Sequence, residues 1–207
     1  MTAKIFIPDY GTVNLNSILR VFERLSVELT VSLNPTDITN ATKIVLPGVG
    51  HFDTAMESLE RLGFVDALNE AVLERKVPVL GICLGMEVMA TGSEEGVRPG
   101  LGWIDNRAIR FRVDDPSHYK VPHMGWNTLS ARHPSRLLDG VDAAAEFYFA
   151  HAYHLELNDS ADTLAETEYE SAFPSVIEKE NIFGVQFHPE KSYDAGMRIL
   201  RNFVNLS

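Results

Sequence analysis

One cysteine, Cys83, stands in the 207 residues, so no internal disulfide can form and the fold must rest on its hydrophobic core. A chain of this length buries roughly 70% of its extended surface on folding, which is enough for a core without staples. Basic residues are also scarce: 18 Lys and Arg against 29 Asp and Glu leave a formal charge of −11. That balance argues against nucleic acid as the main partner, since phosphate binding needs a concentrated positive surface. Long apolar runs are missing as well. The longest, Val77 to Met86, is half the ~20 residues a bilayer span requires and contains Pro78 and two glycines. The first residues turn polar too quickly for a secretory signal, so a cytoplasmic protein is expected. There is no internal repeat and no linker, and one domain over 1–207 is expected.

What is present is a regular alternation. Lys4–Ile7, Val27–Leu33, Lys43–Leu46 and Val77–Ile82 read as short buried strands. Between them, 14–25, 53–60 and 65–75 carry apolar residues at helical spacing, and a further helix begins at Leu84. This β-α-β-α order predicts an open, mostly parallel, doubly wound α/β sheet. From Trp103 the pattern changes to short aromatic and β-branched runs: 103–111, 123–129, 146–151, 163–169, 175–178 and 181–187. These predict antiparallel strands completing the same unit, closed by a last helix over 192–203.

The chemistry concentrates at strand ends. Gly81-Ile82-Cys83-Leu84-Gly85 has the form of a nucleophile elbow, in which small flanking residues let a sharp strand-to-helix turn expose the nucleophile. A helix N-terminus there would favour thiolate over thiol. A buried structural cysteine between packing glycines is the plain alternative. Of the seven histidines, His188 sits just past an apolar strand, with Glu190 two residues on to orient its imidazole. Alone, His188-Pro189-Glu190 could equally be a polar turn. Pro47-Gly48-Val49-Gly50, at the end of a third strand, can bring backbone N–H groups close to an oxyanion but lacks the spacing and lysine of a phosphate loop.

Together these segments resemble the class I glutamine amidotransferases, which have a flavodoxin-like fold, and within them the glutaminase subunits of imidazole glycerol phosphate synthases. The resemblance runs along nearly the whole chain, through Asp9-Tyr10-Gly11, Pro47-Gly48-Val49-Gly50-His51-Phe52, Gly81-Ile82-Cys83-Leu84-Gly85-Met86, Gly100-Leu101-Gly102-Trp103, Pro122-His123-Met124-Gly125-Trp126-Asn127, Tyr148-Phe149-Ala150-His151 and Gln186-Phe187-His188-Pro189-Glu190. It implies Cys83, His188 and Glu190 as catalytic, and Val49, Gly50 and Leu84 as the oxyanion hole. Gly48, Glu87, His151, Ala152 and Tyr153 would bind glutamine. No metal and no cofactor are implied. The expected partner is a separate (β/α)8 cyclase subunit that takes the ammonia to form imidazole glycerol phosphate and an aminoimidazole carboxamide ribotide in histidine biosynthesis. Asn14, His123 and Trp126 are candidates for that interface, and neither nucleic acid nor membrane is expected to take part.

Three positions depart from the family pattern. Glu87 stands for a common Gln, and an ionised carboxylate there would repel the carboxylate of a bound amino acid. Ala152 replaces a Ser, and Val13 a Gly in a stretch that begins at Asp9. Such changes keep two other readings open: a paralogous subunit feeding ammonia to a sugar amidotransferase of surface-polysaccharide synthesis, and a noncatalytic partner-binding subunit. His118, His133 and His154 have no metal-ligand spacing.

Overall fold

The computed structural model describes residues 3–11, 15–157 and 160–206. Eight strands form the main sheet. Its parallel part is β2 (Glu28–Ser32), β1 (Lys4–Pro8), β3 (Lys43–Gly48), β4 (Val79–Cys83) and β13 (Ile182–Val185). Antiparallel pairing then adds β12 (Ser171–Lys179), β11 (Thr163–Tyr169) and β8 (Ser130–Ala131). The chain runs outward from β1 to β2 and then crosses back to β3, which places the reversal of winding between β1 and β3.

The mostly parallel sheet with an antiparallel portion agrees with the sequence, but three of the expected runs, 103–111, 123–129 and 146–151, pair outside the main sheet. The segment β6 (Asn106–Arg110) joins β5 (Gly92–Ser93) and β10 (Tyr153–Leu157) in a three-stranded sheet, and β7 (His123–Thr128) pairs with β9 (Glu146–His151) in a two-stranded one. Period-2 alternation specifies which face of a strand is buried but carries no information on which sheet it joins.

Alternation does decide the core. Phe6, Ile44, Leu46 and Val79 point to one face, covered by α2 (Phe52–Arg61) and α3 (Phe64–Asn69) through Met56, Leu59 and Leu68. Their neighbours Ile5, Ile7, Val45, Leu80 and Ile82 point to the other face. There they meet Ile18 and Phe22 of α1 (Leu15–Glu23), and Ile199 and Phe203 of α5 (Tyr193–Asn205). Asp53 holds a connecting loop against α2, accepting from the backbone N–H groups of Val97 and Arg98 at 3.0 Å each. The helix expected over 65–75 continues past α3 as one wider turn, Glu70–Glu74. The one starting at Leu84 is a single turn, α4 (Leu84–Glu87).

A close approach of two backbones lies under that turn. A Cβ on Gly85 would collide with the backbone carbonyl oxygen of Leu46 in β3. One on Gly81 would lie 2.7 Å from the carbonyl oxygen of Gly85. Backbone atoms cannot rotate away as side chains can, so Gly85→Ala is expected to destabilise the chain by more than the about 1–3 kcal/mol of ordinary overpacking. Urea unfolding followed by circular dichroism measures this, and a loss under about 1 kcal/mol would show that α4 is free to lift off β3.

Candidate functional site

Parallel register brings three segments to one edge of the sheet. Gly48, the last residue of β3, is the partner of Cys83, the last residue of β4, while Val185 at the end of β13 is level with Ile82. The chain beyond β13, Gln186-Phe187-His188, therefore rises beside Cys83 on one flank as Gly48-Val49-Gly50 does on the other. Sites of doubly wound sheets form at this edge.

Cys83 adopts φ 55° and ψ −116°, a conformation L-residues rarely take, and is buried. The glycines on either side allow the turn that imposes it. The helix position alone predicts a thiolate, and the surroundings reverse this: burial pushes the Cys83 thiol well up from its ordinary value, and negative charge on Glu87 or Glu190 pushes it the same way wherever those groups are ionised. The Leu84 backbone N–H, bonded to the sulfur, opposes them only in part. One turn of helix provides too small a dipole to offset complete desolvation.

His188 is fixed on three sides. Its backbone N–H donates to the Tyr148 carbonyl at 2.8 Å, and its carbonyl accepts from the Ser192 hydroxyl at 2.6 Å. Its Nδ1 lies 2.8 Å from Glu190 Oε1, and both side chains are buried. Opposite a carboxylate, Nδ1 carries the proton, which leaves Nε2 as the acceptor. Pro189 and Glu190 stand in a short 3-10 turn, so the close spacing in sequence becomes a hydrogen bond.

A cleft of about 530 Å³ opens over Cys83. Its lining includes Val49, Gly50, Leu84, Glu87, His151, Ala152 and Tyr153, so all but one of the expected oxyanion and substrate residues share one space. Gly48 instead borders a smaller recess beside His188 and Glu190. A Cβ there would lie 2.8 Å from the Gly85 nitrogen and the Tyr10 hydroxyl, so the role of Gly48 is close approach of backbones. Of the other lining residues, Pro122 and Ala150 stand in segments that carry the resemblance but have no site role there, and Glu95 escapes the sequence reading altogether. Glu95 arrives from the loop after β5, held by the Phe52 N–H at the start of α2, 2.7 Å from its Oε2. Nothing in the string Gly92-Ser93-Glu94-Glu95 distinguishes it from a solvated turn.

Glu87 is buried at the end of α4 and accepts from Gln186 Nε2 at 2.9 Å. Its pKa is raised to about 8, by burial first, with the Gln186 bond opposing and Glu95 adding to the rise.

The histidine cluster behind the cleft is a chain with one sense. The Tyr153 carbonyl can only accept, so His151 Nδ1, 2.7 Å away, carries a proton. His151 Nε2 then accepts from His123 Nδ1 at 3.3 Å. Burial lowers His123 to about 4 and His151 well below its ordinary value, so both are neutral. His123 is 3% exposed and stacks on Tyr169 with centroids 4.0 Å apart. It is therefore an interior residue of this chain, on the strand that carries Trp126. Trp126 is 41% exposed and lies flat on the exposed Tyr193 ring, centroids 5.2 Å apart, with Met124 exposed on the same strand. Asn14 and Val13 lie outside the described residues. Among the described residues, no group of three or more His, Cys, Asp or Glu is placed to hold a metal ion, and no helix is long and apolar enough to cross a membrane.

The fold and this edge define a doubly wound α/β protein with a cysteine on an elbow beside a histidine–carboxylate pair. The family model for "Glutamine amidotransferase class-I" matches residues 6–206. Two crystal structures of glutamine amidotransferases share the fold. One has a TM-score of 0.75 at 18% identity, covering 97% of this chain and 96% of that one, and the other, from Thermotoga maritima, has 0.67 at 14%, covering 100% of both. The imidazole glycerol phosphate synthase subunit HisH 2 of Methanococcus maripaludis is 42% identical over 97% of this chain and 98% of its own length. The HisH subunit of Archaeoglobus fulgidus is 43% identical over 98% of each chain. The chain belongs to the class-I glutamine amidotransferase family, and within it to the family of these HisH subunits.

The elbow predicts a stability signature. Glycine relieves the positive φ that Cys83 bears, so Cys83→Gly is expected to be more stable than Cys83→Ala by about 1 kcal/mol. Paired denaturation curves test this, and an alanine variant equal to or more stable than the glycine variant would show that the turn is not strained.

Proposed function

We propose that this chain is the glutaminase subunit of imidazole glycerol phosphate synthase, hydrolysing glutamine to glutamate and ammonia for histidine biosynthesis in the cytoplasm. A separate (β/α)8 cyclase subunit receives the ammonia and forms imidazole glycerol phosphate and the aminoimidazole carboxamide ribotide. The observation that carries the reading is the His188 Nδ1 to Glu190 Oε1 bond, raised on the strand next to Cys83 at the rim of a cleft of amino-acid size.

Each residue has a task set by its surroundings. Because the Cys83 sulfur holds its proton at rest, that proton moves to His188 Nε2 as the sulfur attacks the glutamine carboxamide carbon. The oxyanion is met by backbone N–H groups of Leu84 and of the Val49-Gly50 loop. Gly50, at φ 102° with open space around its Cα, lets that loop turn an amide toward the cleft. Collapse of the tetrahedral intermediate breaks the C–N bond, and His188 gives its proton to the leaving ammonia. A thioester remains. His188 then takes a proton from water, which attacks the thioester, and glutamate and the Cys83 thiol are released. Glu190 holds the imidazole in the required tautomer and stabilises its cation. Glu95 supplies the negative charge for the substrate ammonium, and Ala152 and Tyr153 wall the cleft.

The cyclase would dock on the face that carries Trp126, Tyr193 and Met124. Large exposed apolar side chains grouped on one strand and the ring stacked on it are what a partner would cover. His123 supports that strand from within.

In the complex, Cys83→Ala is expected to abolish synthesis from glutamine while leaving synthesis from added ammonium salts. Glu190→Gln is expected to lower the glutamine-dependent kcat by roughly 10⁴-fold, through loss of tautomer control. Both are read by product formation with each nitrogen source. Retained glutamine-dependent synthesis in Cys83→Ala would overturn the mechanism.

A further inference from the structure

Glu87 is the one acidic side chain in the cleft that the mechanism leaves without a task. Its position is well defined. It ends α4, one turn after Cys83, and is 4% exposed. Its Oε1 accepts from Gln186 Nε2 at 2.9 Å, and Gln186 is itself wholly buried, with its Oε1 lacking a partner. The groups facing Glu87 offer no cation. Cys83 on its own turn is a buried thiol, Glu95 from the loop after β5 is a second acid, and His151 from β9 is neutral. Lys191 bears on Cys83 only as the weakest of the influences there. An ionised carboxylate enclosed by these groups would be unpaired, and it would oppose both the thiolate and the carboxylate of a bound amino acid.

We propose that Glu87 holds glutamine as an uncharged carboxylic acid, one oxygen accepting from Gln186 and the other presenting its proton to an acceptor oxygen of the substrate. In this form it reproduces the donor and acceptor pair of an amide, with one difference: the donor is removed by a base. The direction of its titration follows from the geometry, since burial without a cation favours the neutral acid. The inference rests on the glutaminase reading of the cleft.

Glutamine affinity is then present below the titration of Glu87 and lost above it. Loss of the donor proton also places a charge beside Cys83 and raises the cost of the thiolate, so binding and attack fail together as pH rises. Gln186 acts as a positioning residue: its bond stabilises the ionised form, so removing it moves the loss to higher pH.

The test uses the complex with its cyclase subunit. For wild type and Glu87→Gln, kcat/KM for glutamine is measured from about pH 6.5 to about pH 9.5. The ratio of variant to wild type is expected to be flat at the acid end and to climb about tenfold per pH unit beyond the titration of Glu87, through KM above all. In Gln186→Leu, the wild-type limb is expected at higher pH. A readout independent of turnover is the infrared carbonyl band of a protonated carboxylic acid. It is expected in wild type near neutral pH, absent in Glu87→Gln, and lost from wild type as pH rises. A constant ratio in an active complex, or an absent acid band, would overturn the role of Glu87 and leave the glutaminase reading intact. Loss of glutamine hydrolysis in wild type at every pH would instead overturn the glutaminase reading, and the substrate role of Glu87 with it.

Discussion

The contact between the Leu46 carbonyl and the Cα of Gly85 sets the rest of the site. It brings the first turn of α4 down onto β3, and the backbone passes from β4 into that turn through a positive φ at Cys83. Gly81 and Gly48 remove the side chains that would otherwise prop the turn away. With α4 seated this way, the sulfur stands at the sheet edge between the Gly48-Val49-Gly50 segment and the extension of β13. Glycine at these points is a steric requirement of three backbones meeting, and the exposure of a nucleophile is its consequence.

Burial at that edge governs its electrostatics. The cleft holds Glu87, Glu95 and the nearby Glu190, yet His123 and His151 beside it are neutral. Desolvation selects uncharged forms wherever no opposite charge is within reach, so the cysteine rests as a thiol and the two rear histidines pass a single hydrogen-bond sense from His123 through His151 to Tyr153. The His188–Glu190 pair is the exception, two buried groups facing each other at 2.8 Å. Charge can develop during the reaction where that pair stands, which is where a general base is needed.

Much of this was legible in the sequence because it is local. The elbow is five consecutive residues, the histidine and its carboxylate are two apart, and the strand-helix alternation of the first half recurs with regular period. The walls of the cleft were less legible. His151, Ala152 and Tyr153 were placed by resemblance, and Glu95 was not placed at all, because a loop after a two-residue strand acquires its position only when the Phe52 N–H and α2 are present to hold it. His123 reads as a polar residue in an aromatic strand, and whether such a residue faces a partner or the interior depends on what covers the strand. The covering rings of Tyr169 and Phe173 come from β11 and β12, some fifty residues away. The thiol state of Cys83 is hidden from the sequence for the same reason. Helix position is local and was legible, whereas desolvation is a sum over the whole neighbourhood and was not.

The departure at Glu87 follows from that distinction. Read as a letter, it puts a negative charge in place of an amide and counts against a working cleft. Read in its surroundings, it sits where the fold already excludes charge, and a carboxylic acid that keeps its proton has the shape and the hydrogen-bonding pair of the amide it replaces. The same desolvation that makes the cysteine a thiol thus makes the substitution compatible with the site. What separates the two side chains is that the acid can lose its donor and the amide cannot, so the consequence of the change falls on pH dependence, with the geometry of the cleft left in place.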